Sequence, residues 1–132
     1  MDEQRKQFDG KPFFNLESFR RNGLGVKTPV WFVQDGETFY VRTVAGSGKV
    51  KRVKNNGSIR TVPCEANGTP TGEWVSARAV ESTDESTAEL VRSLLERKYG
   101  AVQVRAFAAS TALRGGKYTV LKIELEWATR RR

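Results

Sequence analysis

Hydrophobic and polar residues alternate with a period near two along most of this chain, the pattern of antiparallel strands with one buried and one wet face. Residues 121, 123 and 125 are apolar, for example, while Lys122 and Glu124 between them are charged. The pattern predicts six strands, at residues 12–20, 25–34, 38–44, 58–66, 73–81 and 117–127. We therefore expect a mainly β protein, built as a small six-stranded antiparallel β-barrel.

Three dipeptides mark tight turns between these segments: Asn22-Gly23, Asp35-Gly36 and Asn67-Gly68. Such pairs are strong hairpin signals because their backbones accept the positive φ angles that two-residue turns need. Residues 30–33 are apolar on both faces, so each side of that strand is expected to be covered, with a second subunit as one candidate cover. Pro29 cannot donate to a ladder, which predicts an edge or an interruption there.

One long helix is predicted at residues 84–99, with Ser82 or Thr83 as its cap and Gly100 as its stop. Its apolar residues recur at intervals of three and four, and that stripe should lie against the barrel. A shorter helix is predicted at 47–55, whose first amides would point at an anion bound there. The Ala-rich residues 106–116 are assigned to a variable loop that contacts the substrate.

Composition removes several classes of chemistry. The 132 residues fit a single domain, 1–132, and 23 Lys+Arg against 15 Asp+Glu give a formal charge of +8, which attracts phosphates and polyanions. The chain has no histidine and one cysteine, Cys64, which is expected to be buried and inert; zinc sites and imidazole-assisted nucleophiles are excluded within it. No apolar run approaches the roughly 20 residues that span a bilayer, and we expect a cytoplasmic protein without membrane contact.

A cluster of basic residues indicates a phosphate site. No acidic residue interrupts them between Val41 and Val62, and the small residues 45–48 allow close approach to the backbone. The cluster comprises Arg42, Lys49, Lys51, Arg52, Lys54 and Arg60. The alternative is that these residues are the solvated face of a short helix. Trp31 and Trp74 could stack on a planar ligand, although packing in the core is the favoured interpretation for both.

Three segments, in this order and spacing, resemble the flavin-binding split-barrel family: residues 28–33 (TPVWFV), 40–43 (YVRT) and 46–52 (GSGKVKR). With Pro63-Cys64 and Trp74 following, the chain is similar to the small pyridoxamine 5'-phosphate oxidase-like proteins that depend on the deazaflavin coenzyme F420. The resemblance implies a six-stranded split barrel, paired as a homodimer, with F420 or FMN in a crevice at the subunit interface.

The resemblance also implies nine cofactor-binding residues. Three lie beside the ring, namely Thr28, Val30 and Trp31; three hold the phosphate, namely Lys49, Lys51 and Arg52; and Arg42, Thr43 and Ser47 complete the pocket. It implies no catalytic side chain and no metal. The chain lacks the Arg-Leu-x-Pro type of ending of true pyridoxamine phosphate oxidases, so oxidation of vitamin B6 is not implied.

The expected activity is that of a reductase, in which reduced F420, or alternatively FMN, passes hydride to an unidentified small molecule. Two alternatives stay open. One is a flavin-binding protein with the same pocket and no turnover. The other is a basic β-barrel that binds nucleic acid, for which exposed aromatic residues should alternate with lysines. The aromatic residues here cluster in apolar runs instead, and we expect no specific nucleic acid partner.

Overall fold

The computed structural model describes residues 2–126. They form seven strands in one antiparallel sheet, together with four helices. In chain order the elements are α1 (Asp2–Lys6), β1 (Phe13–Phe19), β2 (Gly25–Val30), β3 (Val33–Asp35), β4 (Thr38–Val44), α2 (Gly48–Asn55), β5 (Ser58–Cys64), β6 (Val75–Ser82), α3 (Glu85–Tyr99), α4 (Ala101–Leu113) and β7 (Tyr118–Leu125). The predicted mainly β fold class is confirmed.

The sheet curls so that its two edge strands come together at one end. Its strand order is β2-β1-β5-β6-β7-β4-β3, so β2 and β3 are the outer strands. Only Trp31 and Phe32 separate the end of β2 from the start of β3 along the chain. A flat sheet of seven strands is roughly 29 Å wide, which two residues cannot cross. The sheet therefore bends into a split barrel.

The inside of the barrel holds an aromatic core. Phe14 and Phe32 stack with their ring centroids 4.4 Å apart, and Phe8 and Phe39 pack around them. Helix α2 adds two buried valines to the same cluster, Val50 and Val53. Full burial of a valine side chain is worth about 1.5–3 kcal/mol. These contacts fix α2, and the cations on its surface, against the barrel.

Helices α3 and α4 cover the outer face of β3, β4 and β7. Val91 and Leu95 of α3 are buried there against Tyr40 and Val120. The predicted stripe on the long helix thus lies against the sheet as expected.

Five of the six predicted strands are present with ends within two residues of the prediction; the predicted end of the last, at residue 127, lies outside the described residues. The predicted strand 25–34 is instead divided into β2 and β3, which raises the count from six to seven. Gly23 and Gly36 have φ angles of 87° and 63°, the conformation that favours glycine in tight turns. Pro29 lies on an edge strand, as predicted.

The helical predictions need two corrections. Residues 106–116 are not a loop, because α4 occupies most of that segment. Gly100, at φ 95°, ends α3 and also precedes α4, so the expected stop is a sharp corner between two helices. The cap of α3 is neither Ser82 nor Thr83 but Asp84, whose carboxylate accepts a hydrogen bond from the Thr87 amide at 3.1 Å.

Candidate anion-binding site

A split in the barrel wall lies beside β4. This strand pairs with β7 through seven residues but with β3 only through Thr38, Phe39 and Tyr40. The remaining residues of β4, 41–44, have no strand partner on the β3 side, and β2 has none beyond β1. The free edge of β2 and the free edge of β4 at residues 41–44 are therefore the two sides of the split, and the Trp31–Phe32 link joins the sheet edges at one end. Backbone polar groups on such edges are available to a ligand.

The first turn of α2 brings three of the predicted cofactor-binding residues together. Lys49 donates a hydrogen bond from Nζ to the Thr43 hydroxyl at 3.2 Å. Ser47 is the N-cap of the helix, but its side chain does not cap it, and Ser47 Oγ is shielded from solvent without a hydrogen-bond partner. The helix has no acidic residue in its first turn. Its amides, a hydroxyl and an ammonium group are thus close together, the donors that a phosphate accepts from.

Lys49 is a partly buried cation that has no countercharge among residues 2–126. Its burial lowers the pKa of its ammonium group, and the nearby charge of Arg52 lowers that pKa further. Within residues 2–126, Lys49 forms no ion pair; its polar partner is the neutral Thr43 hydroxyl. An anion bound beside it would relieve both effects, because an opposite charge favours the protonated form.

A second group of cations lines a cavity of about 370 Å³ between α2 and the β1–β2 turn. Arg52 is anchored there by a 2.7 Å hydrogen bond from Nε to Ser18 Oγ, and its pKa is lowered by burial and then by the charge of Arg20. The lining contains no acidic residue and consists of Phe19, Arg20, Arg21, Lys51, Arg52 and Asn55. Arg20 and Arg21 were not predicted as site residues. Their only sequence signal is their position directly before the Asn22-Gly23 turn.

Two members of the basic cluster are neutralised from other parts of the chain. Lys54 lies 3.5 Å from a carboxylate oxygen of Glu81, and Arg60 bonds Glu17 at 2.8 Å. The absence of acidic residues between Val41 and Val62 therefore does not leave these two cations uncompensated. The sequence could not show it, since both partners are distant along the chain.

The three residues predicted beside the ring lie on β2 and just after it. Thr28 and Val30 are half-buried on this edge strand, and Val30 packs against the barrel core. Trp31 stacks on Tyr99 with ring centroids 4.2 Å apart, and the edge of its ring meets Phe107. Trp31 thus packs against the apolar cluster between α3 and the sheet, which agrees with the prediction that it packs in the core. One of its ring faces is already covered.

Arg42 is not brought together with Thr43 and Lys49. Its neighbours Phe39 and Val41 belong to the barrel interior, whereas Tyr40 belongs to the cluster beneath α3. By the alternation of a strand, Arg42 faces outward with Tyr40, and its guanidinium lies 4.1 Å from the centre of the Tyr118 ring. It belongs to a different cleft.

Trp74 and Cys64, the two other side chains considered in the sequence analysis, have no role in the anion site. Trp74 belongs to neither hydrophobic cluster, so the expectation that it is a core residue is wrong. Instead, the cationic groups of Lys27 and Arg60 lie over its ring, 5.4 and 4.6 Å from the ring centre. Cys64 is buried in β5, and burial raises the pKa of its thiol, as expected for an inert cysteine. Across residues 2–126 there is no cluster of three side chains able to hold a metal ion.

The residues around α2 fit a phosphorylated cofactor. The unpartnered Ser47 Oγ and the uncompensated Lys49 ammonium are the two groups that a phosphate would satisfy. The cations that line the adjoining cavity could bind further negative charge on the same ligand.

No helix within the described part of the chain has the length and apolar character needed to cross a membrane.

Solved structures share this fold at low sequence identity. HutZ, the heme storage protein of Vibrio cholerae, superposes with a TM-score of 0.71 at 12% identity, over 96% of this chain and 90% of that one. An FAD-binding protein of Mesorhizobium loti gives 0.63 at 15% identity, over 95% and 87%. An F420 reductase gives 0.60 at 13% identity, over 93% of each chain. At such identities the likeness establishes the fold and leaves the ligand open.

Comparison at the level of sequence is more specific. The search among curated proteins found no match. A model of the family described as pyridoxamine 5'-phosphate oxidase matches residues 1–131, which is nearly the whole chain. The chain therefore belongs to the pyridoxamine 5'-phosphate oxidase family.

Proposed function

We propose that this protein is an oxidoreductase that binds F420, or alternatively FMN, by its phosphate at the start of α2 and reduces a small molecule. The observation that carries the proposal is that Lys49, which has no countercharge among residues 2–126, lies two positions after Ser47, whose Oγ has no hydrogen-bond partner there. A shielded hydroxyl without a partner costs about 1–3 kcal/mol in a folded protein. A phosphate group would satisfy both residues at once.

The cofactor, when bound, would supply the hydride, so the protein needs no imidazole or thiol of its own. The roles of the chain are to hold and orient. Lys49, Ser47 and the first amides of α2 would bind the phosphate, with Thr43 holding the Lys49 ammonium in place. Thr28 and Val30 on the β2 edge would position the ring, and the Trp31–Tyr99 stack would exclude water from one side.

The additional cations at Lys51, Arg52, Arg20 and Arg21 favour a cofactor with negative charge beyond its first phosphate. This favours F420 over FMN, because a single phosphate would leave that cavity uncompensated. The family membership and the F420 reductase among the structural relatives agree with this choice without deciding it.

A flavin-binding protein without turnover is the second candidate, since the same pocket would serve it. Storage of heme, the role of HutZ, receives less support. Histidine and cysteine thiolate are common axial ligands of heme. The chain has no histidine, and its one cysteine, Cys64, is a buried thiol whose raised pKa disfavours the thiolate. Nucleic acid binding is disfavoured because Phe32 is buried in the barrel core and one ring face of the half-buried Trp31 is covered by Tyr99.

A homodimer belongs to the proposal. The edge of β2 is unpaired, and apolar side chains of α4 stand in solvent, with Phe107 51% and Leu113 88% exposed. A second copy would cover such surface and supply the outer wall of the split. Light scattering on the purified protein measures this directly, and a monomer at micromolar concentration would remove the partner from the proposal.

The test of the function is a titration of purified protein with F420, with FMN and with their phosphate-free counterparts, followed by absorbance and fluorescence. The proposal predicts saturable binding of at least one phosphorylated form, and its reduced form should then be oxidised in the presence of an acceptor such as an activated alkene. Saturable binding without oxidation across a panel of acceptors would support the flavin-binding alternative. Absence of binding by all four compounds would refute both.

A further inference from the structure

A cleft separate from the α2 site lies between α3 and the outer face of β4 and β7. It consists of two adjoining hollows of about 130 and 500 Å³, which share the residues Arg42, Ala88 and Tyr118. The small side chain of Ala88 leaves the gap open at this point of α3. The volume suits a ligand of modest size.

Arg42 forms the floor of this cleft as a half-buried cation. Its guanidinium lies over the Tyr118 ring, and its pKa is lowered chiefly by burial. Within residues 2–126 no carboxylate lies within ion-pair distance of it. Glu96 favours its charge from further away, but that carboxylate already bonds Arg92 at 3.0 Å and lies 3.6 Å from Arg105.

Tyr118 is a fixed platform for the guanidinium. Its hydroxyl donates a 3.1 Å hydrogen bond to the Phe107 carbonyl and accepts one from Thr111 Oγ1 at 2.9 Å. Both partners belong to α4, so the ring is tied to the helical layer as well as to β7. A guanidinium stacked on a fixed ring loses little freedom when it binds a planar anion. Arg42 is therefore preorganised for bidentate recognition.

The other charges around the cleft limit the ligand to one negative charge. Glu85 and Glu89 line the larger hollow. Glu89 is bonded to Arg92 at 2.8 Å, whereas Glu85 forms no ion pair within residues 2–126. A phosphate dianion would meet this acid with only one uncommitted cation to bind it. A planar carboxylate matches both the single charge and the fork of Arg42.

We infer that this cleft binds a small molecule carrying one carboxylate, held by Arg42 on its Tyr118 platform. The hydroxyls of Ser82 and Thr83 border the smaller hollow and can contact other polar groups of the ligand. Because Arg42 faces away from Thr43 and Lys49, this inference does not rest on the proposed cofactor site. Either can fail without the other.

The experiment uses full-length protein without added cofactor and benzoate as the probe, with neutral benzamide as a control of the same shape. Nuclear magnetic resonance follows the Nε–Hε signals of the arginines during each titration. The inference predicts a saturable shift of the Arg42 signal with benzoate and no saturable shift with benzamide. Arg42→Lys should weaken benzoate binding and Arg42→Gln should lower its affinity by about tenfold or more, as expected for loss of a charge-assisted pair.

Arg78→Gln is the matched control, since Arg78 lies on the exposed face of β6 outside this cleft and should leave benzoate binding unchanged. A benzoate shift at Arg42 that stays linear to the solubility limit would overturn the inference. So would an Arg42 signal that does not respond because an acidic side chain of a second copy already occupies it. Should Arg42→Gln not fold, the comparison of benzoate with benzamide on the native protein decides the matter alone.

Discussion

The ammonium group of Lys49 donates to the hydroxyl of Thr43 across 3.2 Å, and within residues 2–126 it meets no carboxylate. A half-buried lysine is thus held by a neutral partner, while burial and the charge of Arg52 both oppose its protonation. This arrangement is costly in the free protein and favourable when an anion binds. The pH dependence predicted below follows from that difference between the free and the bound protein.

Ser47→Ala separates stability from binding. Ser47 Oγ is shielded and has no partner, so its removal should leave the free energy of unfolding unchanged or raise it by up to about 1 kcal/mol, in contrast to the loss usual for a serine cap. Cofactor affinity should fall by about tenfold, because a donor to the phosphate is lost. Urea denaturation and a cofactor titration measure the two effects.

Thr61→Val is the matched control for Ser47→Ala. Thr61 Oγ1 is also buried without a partner, but it lies in β5 rather than at α2. Thr61→Val should leave the free energy of unfolding unchanged or raise it, and it should not change the cofactor affinity. A Ser47→Ala protein that is destabilised and binds normally would show that the hydroxyl serves the helix and not a ligand.

Cofactor affinity should depend on pH through Lys49. Burial lowers its pKa in the free protein, so as pH rises it loses its proton earlier than an ordinary lysine, and binding then requires that proton to be regained. Affinity should therefore decline on the alkaline side, approaching about tenfold per pH unit above the lowered pKa. Lys49→Arg keeps its charge and should flatten the profile; an identical alkaline decline in both proteins would assign it to another group.

Replacing Arg20 and Arg21 together by glutamine tests the second cation group. Both are exposed, and each contributes less than about 1 kcal/mol to a contact with an anion, so F420 affinity should fall by about fivefold. The loss should shrink as salt is added, since these charges are screened by solvent ions. Arg78→Gln, which removes a cation elsewhere, is the control. Unchanged affinity at low salt would exclude this cavity from cofactor binding.

Tyr99→Phe should loosen the link between β2 and β3. The Tyr99 hydroxyl accepts from the Phe32 amide at 3.1 Å and lies 2.7 Å from the Pro12 carbonyl, and its burial raises its pKa to about 12, which keeps it protonated as a donor. Its removal should lower the free energy of unfolding by about 1–3 kcal/mol, although the stacked ring remains. The urea midpoint measures this, and a midpoint equal to that of the native protein would contradict it.

Local chemistry made much of the fold predictable. The Asn22-Gly23 and Asp35-Gly36 turns follow from residues adjacent in sequence, and the strands around them from simple alternation. Helix α4 was missed because its apolar residues form no clear stripe; its buried residues are Val104 and the polar Thr111. The break at Trp31–Phe32 was also missed, since it depends on closure of the whole sheet.

The candidate site was predictable only in its local part. Ser47 and Lys49 are two positions apart in the chain, and the proximity of Lys49 to Thr43 follows from the short turn between β4 and α2. The pairing of Lys54 with Glu81 depends on contacts between distant segments. The same is true of the approach of Arg20 to Arg52. The outward direction of Arg42 does follow from strand alternation, but the cleft around it requires α3 to be in place.

The central claim is that the start of α2 binds a phosphate. The most direct test compares the binding affinity of each cofactor with that of its phosphate-free counterpart. The comparison is made in the native protein, in Lys49→Gln and in Lys54→Gln. Lys54 is on the same helix but already paired with Glu81. The account predicts that the phosphate strengthens binding by about tenfold to a hundredfold in the native protein and in Lys54→Gln, and that Lys49→Gln abolishes most of this advantage. An advantage that is absent from the native protein, or undiminished in Lys49→Gln, would contradict it.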